Sequence, residues 1–516
     1  MRLRRFVSRA RRLRIVMGGL LATLGLATSA VAYGCSSFSE DDATGTGEAG
    51  TNEAGTNETG TRDASADGRG GEAAFAVRYV KTYGAYDASA DAGASITPGA
   101  ISVSAGGGAT IAGAFGGADI DLGGGTLSYF GKFDAFLLAV DQGGNLRSST
   151  RFGDESSQVG ACALASGTDQ FVGLQFEGSL SIGVNLHSTA GTFNSAIGRY
   201  STSAVTSVDV KGPGNVLVKQ LAPDIGGGVV IIGDFTSTVA VGSSSESRSG
   251  PGSSIFLARV MRPSNVQNDM RKFGENDRTA IGGAVATNPL GRIVMTGRFG
   301  DRIDFGNGYL LTASADNDAF VASLDATLKT EWATTVSGLG NQEGLTVAAV
   351  GTEDFIVGGA FSGTFVAGDA GTPVASAGTG DIFVVRYGAK GNVVWAKTFG
   401  SAGADKLTAI AVDANGNVFL TGTFQGPSIG FGGPMLVNAG AGVSTTDLFV
   451  AWLDPKGNHV ASSRLGGVGN EVSGGIGVDS AGDLTIAGAF SSSFKIGDVA
   501  LTPVGQQDMF VIKLAR

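Results

Sequence analysis

Ile410-Ala411-Val412-Asp413-Ala414-Asn415-Gly416-Asn417-Val418-Phe419-Leu420-Thr421-Gly422-Thr423-Phe424 decides the fold. Two short, partly alternating apolar runs flank Ala414-Asn415-Gly416, a triplet suited to a tight reversal. The stretch therefore predicts an antiparallel hairpin. Its ending, a glycine, one spacer and a phenylalanine, recurs about every 60 residues, the length of one supersecondary unit in a repeat array. The other endings are Gly113-Ala114-Phe115, Gly233-Asp234-Phe235, Gly297-Arg298-Phe299, Gly359-Ala360-Phe361 and Gly488-Ala489-Phe490. Leu174-Gln175-Phe176 is a weaker ending in copy two.

A second hairpin follows in most copies. Asp381-Ile382-Phe383-Val384-Val385-Arg386-Tyr387 runs out, residues 388–391 turn, and Asn392-Val393-Val394-Trp395-Ala396-Lys397-Thr398-Phe399-Gly400 runs back. The outgoing strand recurs at 134–140, 254–260, 318–324, 447–453 and 508–514. A degenerate form lies at 194–200, where Ala196 replaces the phenylalanine. Two hairpins make a four-stranded antiparallel sheet, one blade of a propeller. A lone sheet cannot bury both faces. Stacking it against like neighbours buries each face, and large aromatic side chains fill the gaps. Between the hairpins sits an apolar-x-apolar-Gly segment, as in Ile120-Asp121-Leu122-Gly123 and Phe494-Lys495-Ile496-Gly497, read as a short extended piece.

The chain stops one strand short of a final blade. The missing strand stands at the start, where Val77-Arg78-Tyr79-Val80-Lys81-Thr82-Tyr83-Gly84 matches residues 393–400 position by position. The expectation is an all-β chain forming a single seven-bladed β-propeller of four-stranded antiparallel blades over residues 74–516. Pairing of the N- and C-terminal strands closes it and removes the free sheet edges. The hairpin at 410–418, Gly-x-Phe, Asp-x-Phe-Val and Trp395-Ala396-Lys397-Thr398-Phe399-Gly400 together resemble the bacterial beta-propeller repeat family called SBBP. The resemblance spans about residues 75–516 and is most specific in copies five and six. Members of that family are mostly secreted or envelope proteins, often lipoproteins, without assigned chemistry. The resemblance thus implies an extracytoplasmic propeller.

Composition agrees with many turns between short strands. The 516 residues include 86 glycines and are 42% apolar. Glycine is costly inside helices and frequent in turns. The first 34 residues carry seven arginines and no acid, so beyond them 29 basic residues face 46 acidic ones, a net charge of −17. Binding to nucleic acid needs clustered Lys and Arg, which this balance disfavours.

Residues 1–34 read as a signal peptide. An arginine-rich start (1–14) precedes an apolar run (15–32), then Ala32-Tyr33-Gly34-Cys35. That end resembles a bacterial lipobox, which makes Cys35 the lipidation site and the membrane anchor. Ala32 and Tyr33 depart from the usual lipobox residues. Cleavage after Ala32 to give a secreted protein is the competing reading, as is an uncleaved anchor. Residues 35–73, with Thr-Gly-Glu-Ala-Gly-type repeats, form an acidic linker too poor in apolar residues to fold.

In a repeat, a polar residue found in every copy serves the blade, and one found once is a better functional candidate. Asp134, Asp318, Asp381, Asp447 and Asp508 recur at a strand start and are expected to bond nearby amides. A second acidic set, Glu343, Asp405 and Glu471, with Asp277 nearby and Gln158 in copy two, stands where loops enter the first strands. It is a candidate metal site for Ca²⁺, with loop hydrogen bonding as the structural alternative. The deviant segments are 85–100, 243–253, and copy two with His187 and Cys162. Cys162 reads as a small core residue. With only His187 and His459 in the chain, no catalytic constellation is expected, and no cofactor motif occurs.

The function expected is a non-catalytic, membrane-tethered interaction module, monomeric, presenting loops to a protein or glycan partner. A polysaccharide-acting hydrolase or lyase with its site in the propeller channel, and a structural cell-surface component, are the alternatives. Fold alone does not choose among them.

Overall fold

The computed structural model describes residues 75–85, 93–189, 192–261, 269–274, 278–368, 371–440 and 445–516. The signal segment, Cys35, the linker, residues 86–92 of the deviant segment 85–100, and Asp277 lie outside the described residues. Every regular element described is a β-strand, and the sheets form an all-β propeller.

Copy one supplies Ser95–Val103, Ala109–Gly116, Asp134–Val140 and Leu146–Phe152, hydrogen-bonded in that order. The same pair of hairpins recurs in the next copies, whose first strands are Gln158–Ser166, Val216–Pro223, Ala280–Thr287, Gln342–Val350 and Asp405–Val412. The last sheet combines Glu471–Val478, Leu484–Phe490 and Asp508–Ala515 with Ala76–Ala85 from the start of the chain. There Tyr83 lies opposite Met509 and Val77 opposite Leu514. Each first strand packs against the first strand of the next copy, and Glu471–Val478 packs against Ser95–Val103.

The expected uniform four-stranded blades need correction. Three sheets carry two further strands. The connecting segments are small hairpins, and some add to the outer strand of the preceding sheet. Thr238–Val241 joins Val205–Lys211, and Thr364–Ala367 joins Thr330–Ser337. This covers an outer edge that would otherwise expose unpaired backbone groups.

The core lies between neighbouring sheets. Tyr83, Met509 and Val511 of the last sheet pack with Ile96, Ile111 and Phe136 of the first. Gly-x-Phe and Asp-x-Phe are two halves of one contact. Gly113, Gly233, Gly297, Gly359, Gly422 and Gly488 each lie opposite the strand-three phenylalanine of their own copy. A Cβ on any of them would stand 2.5–2.9 Å from that ring. Copy two inverts the pair: Leu174 replaces glycine and faces Ala196, which replaces phenylalanine. Volume moves across the strand pair, and both residues are fully buried.

The first strand of each copy has one register shift, for example around Gly99, Gly283 and Gly474. Such bulges bend a strand. At Gly99 and Gly283 a Cβ would collide with the carbonyls of Gly160 and Gly344 in neighbouring first strands. The innermost strands thus meet backbone to backbone. Further out, an aromatic residue on the fourth strand stacks on the turn glycine of the next copy: Tyr79 on Gly144, Trp332 on Gly391 and Trp395 on Gly457. The indole N–H of Trp332 donates to Ala389 O and that of Trp395 to Pro455 O, both at 3.0 Å.

Candidate functional sites

The recurrent strand-start aspartates hold the loop that precedes them. Asp134 accepts from Phe130 N, Asp318 from Ser314 N, Asp381 from Ala377 N and Asp508 from Val504 N, at 2.7–2.9 Å. Copy three has Ser254 at this place, and there the polarity reverses. Buried Arg248 donates to Ser254 Oγ and to the carbonyls of Gly250, Pro251 and Gly252. The deviant segment 243–253 is therefore organised around one guanidinium.

The second acidic set lies at seams between copies. Asp405 N donates to Gly380 O at 2.8 Å, and the equivalent amides of Ile96, Gln158, Val216 and Ala280 make the same bond to the copy before. Strand register makes Gln342, and not Glu343, the counterpart of Asp405 and Glu471, because each faces the phenylalanine of its Gly-x-Phe. That corrects the expected equivalence. Burial, assisted by the nearby Asp381 charge, raises the Asp405 carboxyl to about 6. Glu471, 1% exposed, is pushed well above the usual carboxylate range by burial and by Asp447, whose own carboxylate binds Arg464 Nη1 at 3.1 Å. The raised pKa favours the neutral form of Glu471 beside the Asp447–Arg464 pair. Among the described residues, no group of three or more His, Cys, Asp or Glu is placed to hold a metal ion.

The sign of the pH effect follows. A carboxyl with a raised folded pKa contributes stability that is complete below its unfolded pKa, near 4.3 for Glu, and lost as pH rises through the folded value. Glutamine supplies the same donor without a charge, as Gln342 does when Nε2 donates to Thr364 O at 2.8 Å. Glu471→Gln is expected to raise the melting temperature by roughly 1–3 °C at about pH 8 and by much less at about pH 5. Equal shifts at both pH values, measured by calorimetry, would show that the Glu471 carboxyl is not raised in the folded protein.

Glu343 belongs to a different arrangement. Lys219 Nζ lies 3.3 Å from Asp234 Oδ2, Asp234 Oδ1 accepts from Gly282 N at 2.8 Å, and Arg298 Nη1 lies 3.6 Å from Glu343 Oε2. Burial lowers the pKa of Lys406, and the charge of Glu343 opposes that shift. Charges of alternating sign thus run across copies three to six. None of these residues repeats at its position in the other copies, and Asp234 and Arg298 are the spacers of Gly-x-Phe.

His187 gives the largest departure from expectation. It lies in the strand Asn185–Ser188, half of the small hairpin in copy two, and is 5% exposed. Its Nδ1 is 2.6 Å from Asp209 Oδ1 and its Nε2 is 2.9 Å from Ser207 Oγ. Ser207 and Asp209 are two apart on the strand Val205–Lys211, so both point to the face where the hairpin sits. Asn185 Nδ2 donates to Ser207 Oγ at 3.0 Å, and Lys211 Nζ holds Asp209 Oδ2 at 2.6 Å. Burial pushes the Asp209 carboxyl up, but bonds from Lys211 and His187 outweigh it and hold the pKa below the ordinary value. A single histidine thus meets both a serine and an aspartate, because the strand offers them at alternate positions. Ser207 and Asp209 escaped the sequence reading because their alternation looks like any exposed strand face. Cys162 is fully buried, and His459 Nε2 meets Ser462 Oγ at 3.1 Å.

No family model matches the chain. A WD repeat-containing protein of Acanthamoeba polyphaga mimivirus, described as uncharacterized, is 26% identical over 272 residues, 41% of this chain. The chain covers 19% of that relative's length. Among solved structures, Sqt1 from Chaetomium thermophilum aligns with 77% of this chain and 81% of its own, at 11% identity and a TM-score of 0.34. A Trypanosoma rangeli sialidase in complex with sialic acid aligns with 68% of this chain and 53% of its own, at 9% identity and a TM-score of 0.31.

Proposed function

We propose that the chain is an interaction module: a seven-bladed ring of the bacterial beta-propeller repeat type, tethered to a cell-envelope membrane through a lipid on Cys35, that docks a protein partner on one rim. The blade count is supported by the cyclic packing of first strands, from Ser95–Val103 round to Glu471–Val478 and back.

One observation carries the docking reading. Phe130 and Phe133 precede a third strand, Leu339 and Val468 precede first strands, and Val504 precedes a third strand; all five are 44–69% exposed. In an antiparallel sheet, first and third strands start at the same end, so the five share one rim. On the opposite rim stand Ile225 and Leu290, with Val205 and Val394 at the starts of fourth strands; among the described residues, exposed phenylalanines occur on the first rim alone. A rim that exposes two phenylalanines beside three aliphatic side chains has the character of an interaction face. A glycan would instead call for hydrogen-bonding groups there.

A photo-crosslinking residue placed at 339 or 468 in the tagged full chain, on intact cells, is expected to capture a discrete partner that one at 310 on the outer edge does not. Equal capture from all three positions, or none from the rim, would refute the docking face. Separately, Cys35→Ser should move the protein from the membrane to the soluble fraction. Retention on the membrane would refute the lipid tether.

A further inference from the structure

Copy two departs from the repeat at Leu174, at Ala196 and at His187. The first two compensate each other sterically. His187 remains to be explained. In other copies the connecting hairpin brings an aromatic ring onto the strand-three phenylalanine: Phe305 on Phe320 at 5.1 Å, Phe365 on Phe383 at 5.4 Å and Phe431 on Phe449 at 4.7 Å. Apolar packing is sufficient there. Copy two keeps apolar packing at those places with Leu180 and Ile182, and adds a buried imidazole on the other strand of its hairpin, a group that costs free energy unless its polar atoms are paired. Both ring nitrogens are paired, and the partners are a hydroxyl and a carboxylate.

We propose that Ser207, His187 and Asp209 form a hydrolytic centre for small neutral carboxylic esters, with Ser207 as nucleophile. This activity goes beyond the interaction function and does not rest on it. An ionised carboxylate only accepts hydrogen bonds, so Asp209 Oδ1 fixes the proton on Nδ1 of His187. The lone pair of Nε2 then faces the hydroxyl of Ser207, as a general base requires. The distances of 2.6 and 2.9 Å fall within the range for such relays. Asp209 is a positioning residue, and Lys211 locks its second oxygen.

The reaction balances with water as co-reactant. Ser207 Oγ bonds to the ester carbonyl carbon while its proton passes to Nε2, and the carbonyl π pair moves to oxygen. The Asn185 amide, already 3.0 Å from Oγ, is a donor within reach of that oxygen. The pair then returns, the bond to the alkoxy oxygen breaks, and the leaving alcohol takes the proton from Nε2. Water repeats the sequence on the acyl-serine, releasing the acid and restoring Ser207. The substrate class follows from the surroundings. Val205 and Val184 are exposed beside Ser207, and a Cβ on Gly183 would meet Val205 at 3.1 Å. That end suits a short apolar acyl chain. The polar end is occupied by the Asp209–Lys211 pair, which leaves no free charge to recruit an ionic substrate.

The test uses the full chain, a fluorophosphonate probe and p-nitrophenyl butyrate. The probe is expected to add to Ser207, mapped by peptide mass spectrometry. Hydrolysis should fall to the buffer rate in Ser207→Ala, and His187→Gln should slow labelling at least about 100-fold. Asp209→Asn preserves volume and is expected to lower kcat with KM unchanged, a split that a packing role would not give. Absence of an adduct on Ser207, or hydrolysis by Ser207→Ala at the rate of the unmodified chain, overturns the proposal.

Discussion

A chain that begins at Gly93 is expected to lose its sharp thermal transition and to self-associate, whereas one that begins at Phe75 stays monomeric and folds. Truncation removes Ala76–Ala85, the outer strand of the last sheet, and bares the edge of Asp508–Ala515. An unpaired edge recruits another chain. Buried Tyr83 goes with it, along with the packing of Val77 and Val80 and of Tyr79 on Gly144. Loss of one large buried aromatic side chain costs about 3–5 kcal/mol, and each lost ladder hydrogen bond about 1 kcal/mol. The total rivals the whole stability of a typical domain. A synthetic peptide of residues 75–85 should restore the transition, because the junction is non-covalent. Light scattering and calorimetry provide the readout. A truncated chain that is monomeric, with an unchanged melting temperature, would show that the strand does not hold the ring.

The second large effect is in copy two. Ala196→Phe alone inserts a ring where Leu174 already fills the space, and overpacking of this kind costs about 1–3 kcal/mol. Leu174→Gly alone opens a cavity and frees the backbone, at about 2–5 kcal/mol or more. Together the two substitutions recreate the glycine-under-phenylalanine pair of the other copies. The double variant is expected to recover about 1–3 kcal/mol relative to the sum of the single changes. Urea unfolding of the four proteins measures this. Strict additivity would mean that the two residues are not a steric pair, and that copy two is degenerate for another reason.

Both predictions come from the repeat, which explains what could be read without coordinates. Gly-x-Phe and Asp-x-Phe were visible as separate motifs; their opposition across a strand pair was not, because register is a tertiary quantity. The same limit applied at the seams. Glu343 and Asp405 look equivalent by position in the loop, yet a one-residue offset sends Glu343 to Arg298 and leaves Gln342 facing Phe361. A one-residue slip moves a side chain to the other face of the sheet, so counting along a loop of variable length cannot assign faces. The Ser-His-Asp group was hidden more completely. His187 and Ser207 are 20 residues apart and meet only because a small hairpin folds back on the outer strand.

The sequence by itself determined the strands, their pairing into hairpins and the completion of the last sheet by the first strand. These are local or periodic properties: alternation, turn residues and a repeated pattern with a gap at one end and its match at the other. Tertiary structure alone decided which side chains meet: Glu471 beside Asp447, the run of alternating charge between copies, and Ser207 against His187 within copy two. Such contacts depend on how sheets stack and how connecting hairpins dock. That packing is set by volumes and by buried polar groups seeking partners, which leave no periodic trace along the chain.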